Sequence, residues 1–206
     1  MEKFKKIVGI AAPFTRINVD TDLIVPGESL KTISRNGLGK DLFLYIRFNE
    51  NGSENKKFIL NHPNYKNSKI LITGKNFGCG SSREHAVWAL KDFGIKCLIG
   101  TEFADIFYNN CFKNGVLAII LDSKKVEKII KIVSSSNASE LEIDLEKQSI
   151  KTKENETINF DIPPYLKKNL LEGVDDISKT LEKKKLIDEF ELNVKKKYPW
   201  LGNKNG

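Results

Sequence analysis

Between residues 69 and 135 the sequence alternates short apolar runs with longer amphipathic segments, and this alternation constrains the fold more than any other feature. Three apolar runs have the length of buried strands: 69–74, 95–100 and 116–121. Three amphipathic segments have the spacing of helices: 82–94, 103–115 and 123–135. The first two helices end at Gly94 and Gly115, and glycine often terminates a helix. Strands and helices in alternation predict parallel βαβ units with right-handed crossovers.

The region before this alternation is less regular. Residues 5–12 have the pattern of a first strand, which is expected to end at Pro13. Residues 14–43 contain turn residues throughout and no sustained helical period, so they are predicted to form a long loop. Loops of this length in compact domains are usually functional.

The region after the alternation changes pattern again. Residues 141–162 alternate apolar and polar side chains, which predicts short antiparallel strands. Two helices are expected next: 163–173, begun by proline and ended by Gly173, and 175–197, capped by Asp175 or Asp176. The predicted fold class is therefore α/β, and the chain is expected to form a single domain. Its expected parts are a core over about 1–162 and a C-terminal helical extension over about 163–198.

The composition is that of a folded chain with a modest basic excess. Of the 206 residues 40% are hydrophobic and 30% are charged, and 34 basic against 27 acidic side chains give a net charge of +7. The lysines are mixed with glutamates, and no segment interleaves basic and aromatic residues as single-strand binders do. A solvated basic face is therefore favoured over nucleic-acid binding.

The N-terminal apolar run is short, because Pro13 and Arg16 interrupt it. A signal-peptide core or a membrane span needs a longer run, so we expect a cytoplasmic protein that does not contact a membrane. The three cysteines, Cys79, Cys97 and Cys111, match no zinc or iron–sulfur spacing and are expected to be free thiols. No metal ligand is assigned to this chain, and any metal is expected to be held by another polypeptide.

The stretch 74–90, GKNFGCGSSREHAVWAL, joins a predicted strand to a predicted helix and has two interpretations. Ser81 and Glu84 have the S-x-x-E spacing of a capping box, in which each side chain accepts a backbone N–H of the other residue. The spacing alone favours this interpretation. A cap, however, needs neither the upstream glycines nor Arg83. Glycines before a helix let backbone N–H groups approach an anion, and arginine binds carboxylates through two hydrogen bonds.

This second interpretation places an anion at the carboxyl edge of a parallel sheet, where α/β proteins usually bind ligands. The P-loop and dinucleotide-binding patterns are absent from the stretch. A serine base at this position needs its alkoxide stabilised, and helix N-terminal amides together with Arg83 are suited to that. The residues alone thus indicate an anionic ligand and leave a serine base open.

Four segments, in this order, resemble the small-subunit family of 3-isopropylmalate dehydratases, within the aconitase superfamily: 14–27, 76–90, 103–115 and 170–181. The C-terminal extension is that of the bacterial type. The resemblance implies a swivelling β/β/α domain, with βαβ units and a mixed sheet or barrel. It also implies a large-subunit partner that carries a [4Fe–4S] cluster, in a heterodimer. The implied activity is that of a cytoplasmic hydro-lyase in leucine biosynthesis, which interconverts 2-isopropylmalate and 3-isopropylmalate by dehydration and rehydration.

The resemblance also implies roles for residues around the glycine–serine stretch. Ser81 takes the position of the general base, which removes the proton α to a carboxylate. Ser82 and Arg83 are expected to hold a substrate carboxylate and the developing negative charge. Asp22 matches an aspartate that lines the family's active site. His85 and Cys79 are expected to be structural.

The loop segment 29–39 matches the part of the family that covers the variable group of the substrate. Arg35 is the candidate for a second carboxylate contact, with a solvated loop arginine as the alternative. Leu30 and Ile33 are the candidates for packing against the isopropyl group. Residues 28–40 are expected to be mobile without substrate.

Two other functions remain open at this stage. One is a related hydro-lyase that acts on another diacid, of the homoaconitase or citraconate hydratase type. The other is a basic nucleic-acid-binding role, which salt-dependent binding of RNA would reveal.

Overall fold

The computed structural model describes residues 1–31, 36–135, 140–174, 180–181 and 183–201. The chain divides into two compact units, Met1–Gly173 and Val174–Gly206.

The first unit contains a seven-stranded mixed sheet with the strand order β4-β3-β2-β1-β5-β6-β7. Its strands are β1 Lys6–Phe14, β2 Ile70–Thr73, β3 Cys97–Gly100, β4 Leu117–Ile120, β5 Glu140–Asp144, β6 Ser149–Thr152 and β7 Thr157–Asn159. Strands β1 to β4 pair in parallel, and β5 to β7 pair antiparallel. The α/β fold class, the parallel half and the antiparallel half predicted from the sequence are all confirmed.

Helices connect and flank these strands. The α-helices of the first unit are α1 Thr21–Ile24, α2 Leu44–Arg47, α3 Glu84–Phe93, α4 Asp105–Lys113, α5 Ser123–Ser135 and α6 Pro164–Glu172. Short 3₁₀ turns occur at Gly27–Lys31, Gly39–Asp41 and Ile59–Asn61. The three helices predicted between and after the parallel strands correspond to α3, α4 and α5.

Strand β1 lies at the centre of the sheet and joins its two halves. Residues Lys6–Ile10 pair antiparallel with β5, whereas Ala11–Phe14 pair in parallel with β2. The expectation that Pro13 ends this strand was wrong, because Pro13 is paired opposite Ile72. The pairing with β5 stops at Ile10, so the missing N–H of proline removes no ladder hydrogen bond on that side.

The core lies on both faces of the parallel half of the sheet. All four residues of β2 and all four of β3 are buried, as in a sheet that helices cover on both faces. Helix α6 also belongs to this core, since Leu166 and Leu170 are buried and Leu170 O accepts a hydrogen bond from Phe4 N at 2.8 Å. The first compact unit includes α6 and extends to Gly173. The division expected near residue 162 stays a prediction.

The second unit contains helix α7, Lys184–Lys197, followed by a 3₁₀ turn at Pro199–Leu201. Helix α7 has no buried residue. Asp175 and Asp176, the expected caps of a helix over 175–197, lie outside the described residues. Among the described helices of the chain, none is long and apolar enough to cross a membrane.

Candidate active site

The candidate site forms where three parallel strands end. Strands β1, β2 and β3 end at Phe14, Thr73 and Gly100, and the segments that follow them pack together at this edge of the sheet. Residues 19–21 run beside 78–81, with a parallel bridge between Asp20 and Cys79. A second bridge joins Phe77 to Phe103. The glycine–serine stretch therefore lies at the carboxyl edge, as the second interpretation requires.

The glycine at 78 is required by the backbone and by packing. Gly78 has φ +79°, and a Cβ atom at this position would lie 2.1 Å from Cγ of the Phe107 ring. No side chain fits there, because real Cβ atoms do not approach other atoms so closely. This close contact brings α4 against the glycine–serine stretch and makes α4 one wall of the site.

The capping box predicted as one interpretation of this stretch was wrong. Helix α3 begins at Glu84, its cap residue is Arg83 in an extended conformation, and no side chain caps it. The Glu84 carboxylate instead accepts a hydrogen bond at 2.7 Å from Nδ2 of Asn114. Ser81 therefore lies too far before the helix to cap it. Within the described part of the chain, its hydroxyl makes no hydrogen bond.

Ser81 and Ser82 are exposed and line a cleft of about 260 Å³. The residues that line it come from the segments that follow the three strands, including the starts of α1 and α4: Thr21, Gly78, Gly80, Ser81, Ser82, Arg83, Ala104, Asp105, Ile106 and Phe107. The lining includes two serine hydroxyls and the Arg83 guanidinium, together with the Asp105 carboxylate and the apolar side chains of Ile106 and Phe107. Such a cleft suits a ligand that has an anionic end and an apolar body.

Arg83 is fixed by an ion pair with Asp22. Its Nη1 contacts Oδ1 of Asp22, and the guanidinium side chain is 22% exposed whereas that of Asp22 is 56% exposed. Asp22 lies in α1, whose cap Asp20 accepts a hydrogen bond from Leu23 N at 2.7 Å. The pair uses one edge of the guanidinium and leaves other N–H groups of Arg83 available to an anion in the cleft.

A further acidic group lies next to this pair. Tyr45 donates a hydrogen bond from its hydroxyl to Oε1 of Glu28 at 3.0 Å. This bond raises the pKa of Tyr45, and the nearby charge of Asp22 raises it further. Tyr45 is therefore protonated at neutral pH and acts here as a hydrogen-bond donor.

The structure brings together four of the residues predicted from the sequence: Asp22, Ser81, Ser82 and Arg83. Leu30 lies in the 3₁₀ turn Gly27–Lys31, is half-buried against the core, and is not among the residues that line the cleft. Ile33 and Arg35 lie outside the described residues.

Two polar residues of the cleft, Asp105 and Thr21, are not singled out by the sequence. Asp105 follows β3 and begins α4, so it stands at the same sheet edge as Ser81, and the rule on strand ends could have found it. Thr21 gives no such signal, because its role depends on a contact with a residue 60 positions away.

The remaining titratable candidates lie apart from the cleft. His85 packs against Trp88, with ring centroids 4.4 Å apart. Cys97 and Cys111 are fully buried, and burial raises the pKa of both thiols. Among the described residues, no group of three or more His, Cys, Asp or Glu side chains could hold a metal ion.

Comparison with known proteins identifies the family. Residues 1–124 match the aconitase C-terminal domain family. A protein of Rhizobium etli named 3-isopropylmalate dehydratase small subunit is 52% identical over 97% of this chain and 99% of its own length. A protein of the same name from Azorhizobium caulinodans is 52% identical over 98% of this chain and 100% of its own. This chain belongs to the 3-isopropylmalate dehydratase small subunit family.

A solved structure agrees with this assignment. The crystal structure of 3-isopropylmalate dehydratase from Methanocaldococcus jannaschii is 34% identical and has a TM-score of 0.64. The comparison covers 90% of this chain and 99% of that one. The family expected from the four colinear segments is thereby confirmed, and the fold is shared with this relative.

Proposed function

We propose that this chain acts as the small subunit of a 3-isopropylmalate dehydratase, a hydro-lyase of leucine biosynthesis. The proposal is carried by the cleft, where the hydroxyl of Ser81, which makes no hydrogen bond within the described residues, lies beside Arg83, which Asp22 holds in place. A guanidinium that can bind a carboxylate, next to a hydroxyl group, suits a diacid substrate that loses a proton from the carbon beside a carboxylate. A cytoplasmic location and a heterodimer with a large subunit belong to the same proposal.

In this proposal the diacid is held by its carboxylates. The free N–H groups of Arg83 and the hydroxyl of Ser82 bind one carboxylate in the cleft. Ile106 and Phe107, which also line the cleft, provide apolar contacts for the rest of the substrate. Arg35, Leu30 and Ile33 remain our candidates for contacts with the second carboxylate and the isopropyl group.

Ser81 is the proposed proton carrier. Its hydroxyl oxygen takes the proton from the carbon α to a carboxylate during dehydration, and returns a proton to that carbon during rehydration. A serine alkoxide is a strong base, so it must be stabilised where it forms. Arg83, which lines the same cleft, supplies positive charge beside Ser81.

The departing hydroxyl group needs a Lewis acid, which in this family is expected to be a [4Fe–4S] cluster. The described residues of this chain do not fit such a cluster, because no three His, Cys, Asp or Glu side chains among them are placed to hold a metal ion, and Cys97 and Cys111 are buried in the core. We therefore assign the cluster to the large subunit, and the proposed steps of this chain involve binding and proton transfer only.

The first test replaces Ser81 by alanine in the complex with the large subunit. Since Ser81 is exposed and does not cap α3, we expect the free energy of unfolding of Ser81→Ala to differ from that of the wild type by less than about 0.5 kcal/mol. Turnover should fall roughly 10²- to 10⁴-fold, because the proton acceptor is lost. Ser135→Ala, at an exposed position at the end of α5, is the control and should leave both quantities unchanged. Normal turnover by Ser81→Ala would exclude Ser81 as the base.

A second test concerns the need for a partner. The isolated chain should be colourless and inactive, and activity should appear on mixing with a large subunit in reduced, iron-replete, oxygen-free buffer. Steady-state turnover of 3-isopropylmalate, with and without the large subunit, measures this. Turnover by the isolated chain would contradict the proposal that activity requires the large subunit.

A further inference from the structure

Three hydrogen bonds hold the serine stretch against the start of α1. Gly78 N donates to Val19 O at 2.7 Å, and Thr21 N donates to Cys79 O at 2.9 Å. These two bonds pair the segments 19–21 and 78–81 like parallel strands. The third bond comes from a side chain, since Thr21 Oγ1 donates to Ser81 O at 2.9 Å.

The side-chain bond is needed because α1 begins at Thr21 and turns the backbone away. From this residue the chain is helical, and Ile24 N and Val25 N bond back to the carbonyls of Asp20 and Thr21. The hydroxyl of Thr21 therefore extends the pairing by one step, up to Ser81 itself. Thr21 is only 2% exposed, so this hydroxyl is sheltered from competing water.

We propose that Thr21 is a positioning residue, whose hydroxyl fixes the backbone of Ser81 so that the serine oxygen faces the diacid. This inference rests on the proposed function. Thr21 also precedes Asp22, so a single turn of helix sets both the serine through Thr21 and the guanidinium of Arg83 through Asp22. An error of about 1 Å in such a group can cost roughly 100-fold in rate.

The test compares Thr21→Val, which keeps the shape and removes the hydroxyl, with Thr21→Ser, which keeps the hydroxyl. In the complex with the large subunit, Thr21→Val should lower kcat by roughly 10- to 100-fold with little change in KM, because binding through Ser82 and Arg83 persists. Thr21→Ser should restore most of kcat. A Thr21→Val complex with normal kcat, or a Thr21→Ser complex as slow as Thr21→Val, would overturn the inference.

Thr73→Val is the matched control. Thr73 is equally buried and its hydroxyl donates to Ile99 O at 3.4 Å, but it does not line the cleft. It should lose stability without losing kcat. If both variants lose stability and neither loses kcat, Thr21 is merely structural and the inference fails.

Hydrogen exchange of the free chain provides a readout that needs no activity. Thr21→Val should speed exchange of the amides in 78–83, whereas Thr73→Val should not. Unchanged exchange in Thr21→Val overturns the inference whether or not turnover is detected. A wild-type complex that does not act on the diacid refutes the proposed function instead, and the exchange result still decides the role of Thr21.

Discussion

The Asp22–Arg83 ion pair contributes little to the stability of the fold but fixes the orientation of the Arg83 side chain. The Asp22 side chain is half exposed, and ion pairs of this kind contribute at most about 1 kcal/mol to folding because water screens them. The pair instead restricts the orientation of a long, flexible side chain. An arginine held in this way loses less entropy when it binds a carboxylate.

The thiols give a prediction at the same scale. Cys97 and Cys111 are fully buried and the pKa of each is raised, so the reactive thiolate is absent near neutral pH and remains scarce as the pH rises to 9. Cys79 is half-buried and accessible. A thiol reagent such as iodoacetamide should label one cysteine in the folded chain and three after unfolding in urea, which peptide mass spectrometry can count. Rapid labelling of Cys97 or Cys111 in the folded chain would contradict this.

At the scale of elements, a buried amide connects the start of α3 to the end of α4. Asn114 is 4% exposed; its Oδ1 accepts from Trp88 Nε1 at 2.9 Å, and its Nδ2 donates to Glu84 Oε1 at 2.7 Å. The backbone carbonyl oxygen of Asn114 also accepts a hydrogen bond from Lys91 Nζ at 2.7 Å. This network holds the first turn of α3, and so the residues immediately before it, next to the cleft.

Asn114→Ala should therefore destabilise the chain. Removing this buried side chain breaks its hydrogen bonds with Trp88 and Glu84. We expect the free energy of unfolding to fall by about 2 kcal/mol. Asn109→Ala is the control, because Asn109 lies in α4 five residues before Asn114, is exposed, and makes one local hydrogen bond to Asp105 O. It should change stability by less than about 0.5 kcal/mol. Urea unfolding measures both variants, and equal losses would show that the network has no special weight.

The elements with a strong period could be predicted from the sequence. The buried strands, and the helices that end at Gly94 and Gly115, follow from hydrophobic spacing, which depends on neighbouring residues alone. The start of α3 could not be predicted, since Glu84 pairs with Asn114, 30 positions away, rather than with Ser81. Local spacing cannot reveal such a competitor.

The loop glycines illustrate a second limit. Gly37 and Gly39 suggested a mobile segment, but both amides donate to Oδ2 of Asp92, at 2.9 and 2.7 Å. A Cβ on Gly39 would lie 2.7 Å from Phe93 N, so glycine there reflects close packing on α3. The sequence shows a glycine, but it does not show whether the glycine gives the backbone conformational freedom or allows close packing against a neighbouring element. The mobility expected for residues 28–40 without substrate stays a prediction.

At the scale of the whole molecule, the core and the site belong to the same compact unit. The central strand β1 pairs with both halves of the sheet, and its carboxyl end leads directly into the segment that carries Asp22. The N-terminus is also tied to α6, since the Met1 amino group donates to Gly173 O at 3.0 Å. The first unit thus includes α6 and extends to Gly173.

A pair of truncations tests where the folding unit ends. A chain that stops after Val174 keeps α6 and loses α7, which has no buried residue, so we expect its unfolding free energy to stay within about 1 kcal/mol of the full chain. A chain that stops at Ile162 loses buried Leu166 and Leu170, worth roughly 3–6 kcal/mol together out of a total of about 5–15 kcal/mol. Its cooperative transition in urea should weaken severely or vanish. If the two truncated chains unfold alike, α6 does not complete the core and the boundary lies nearer to residue 162.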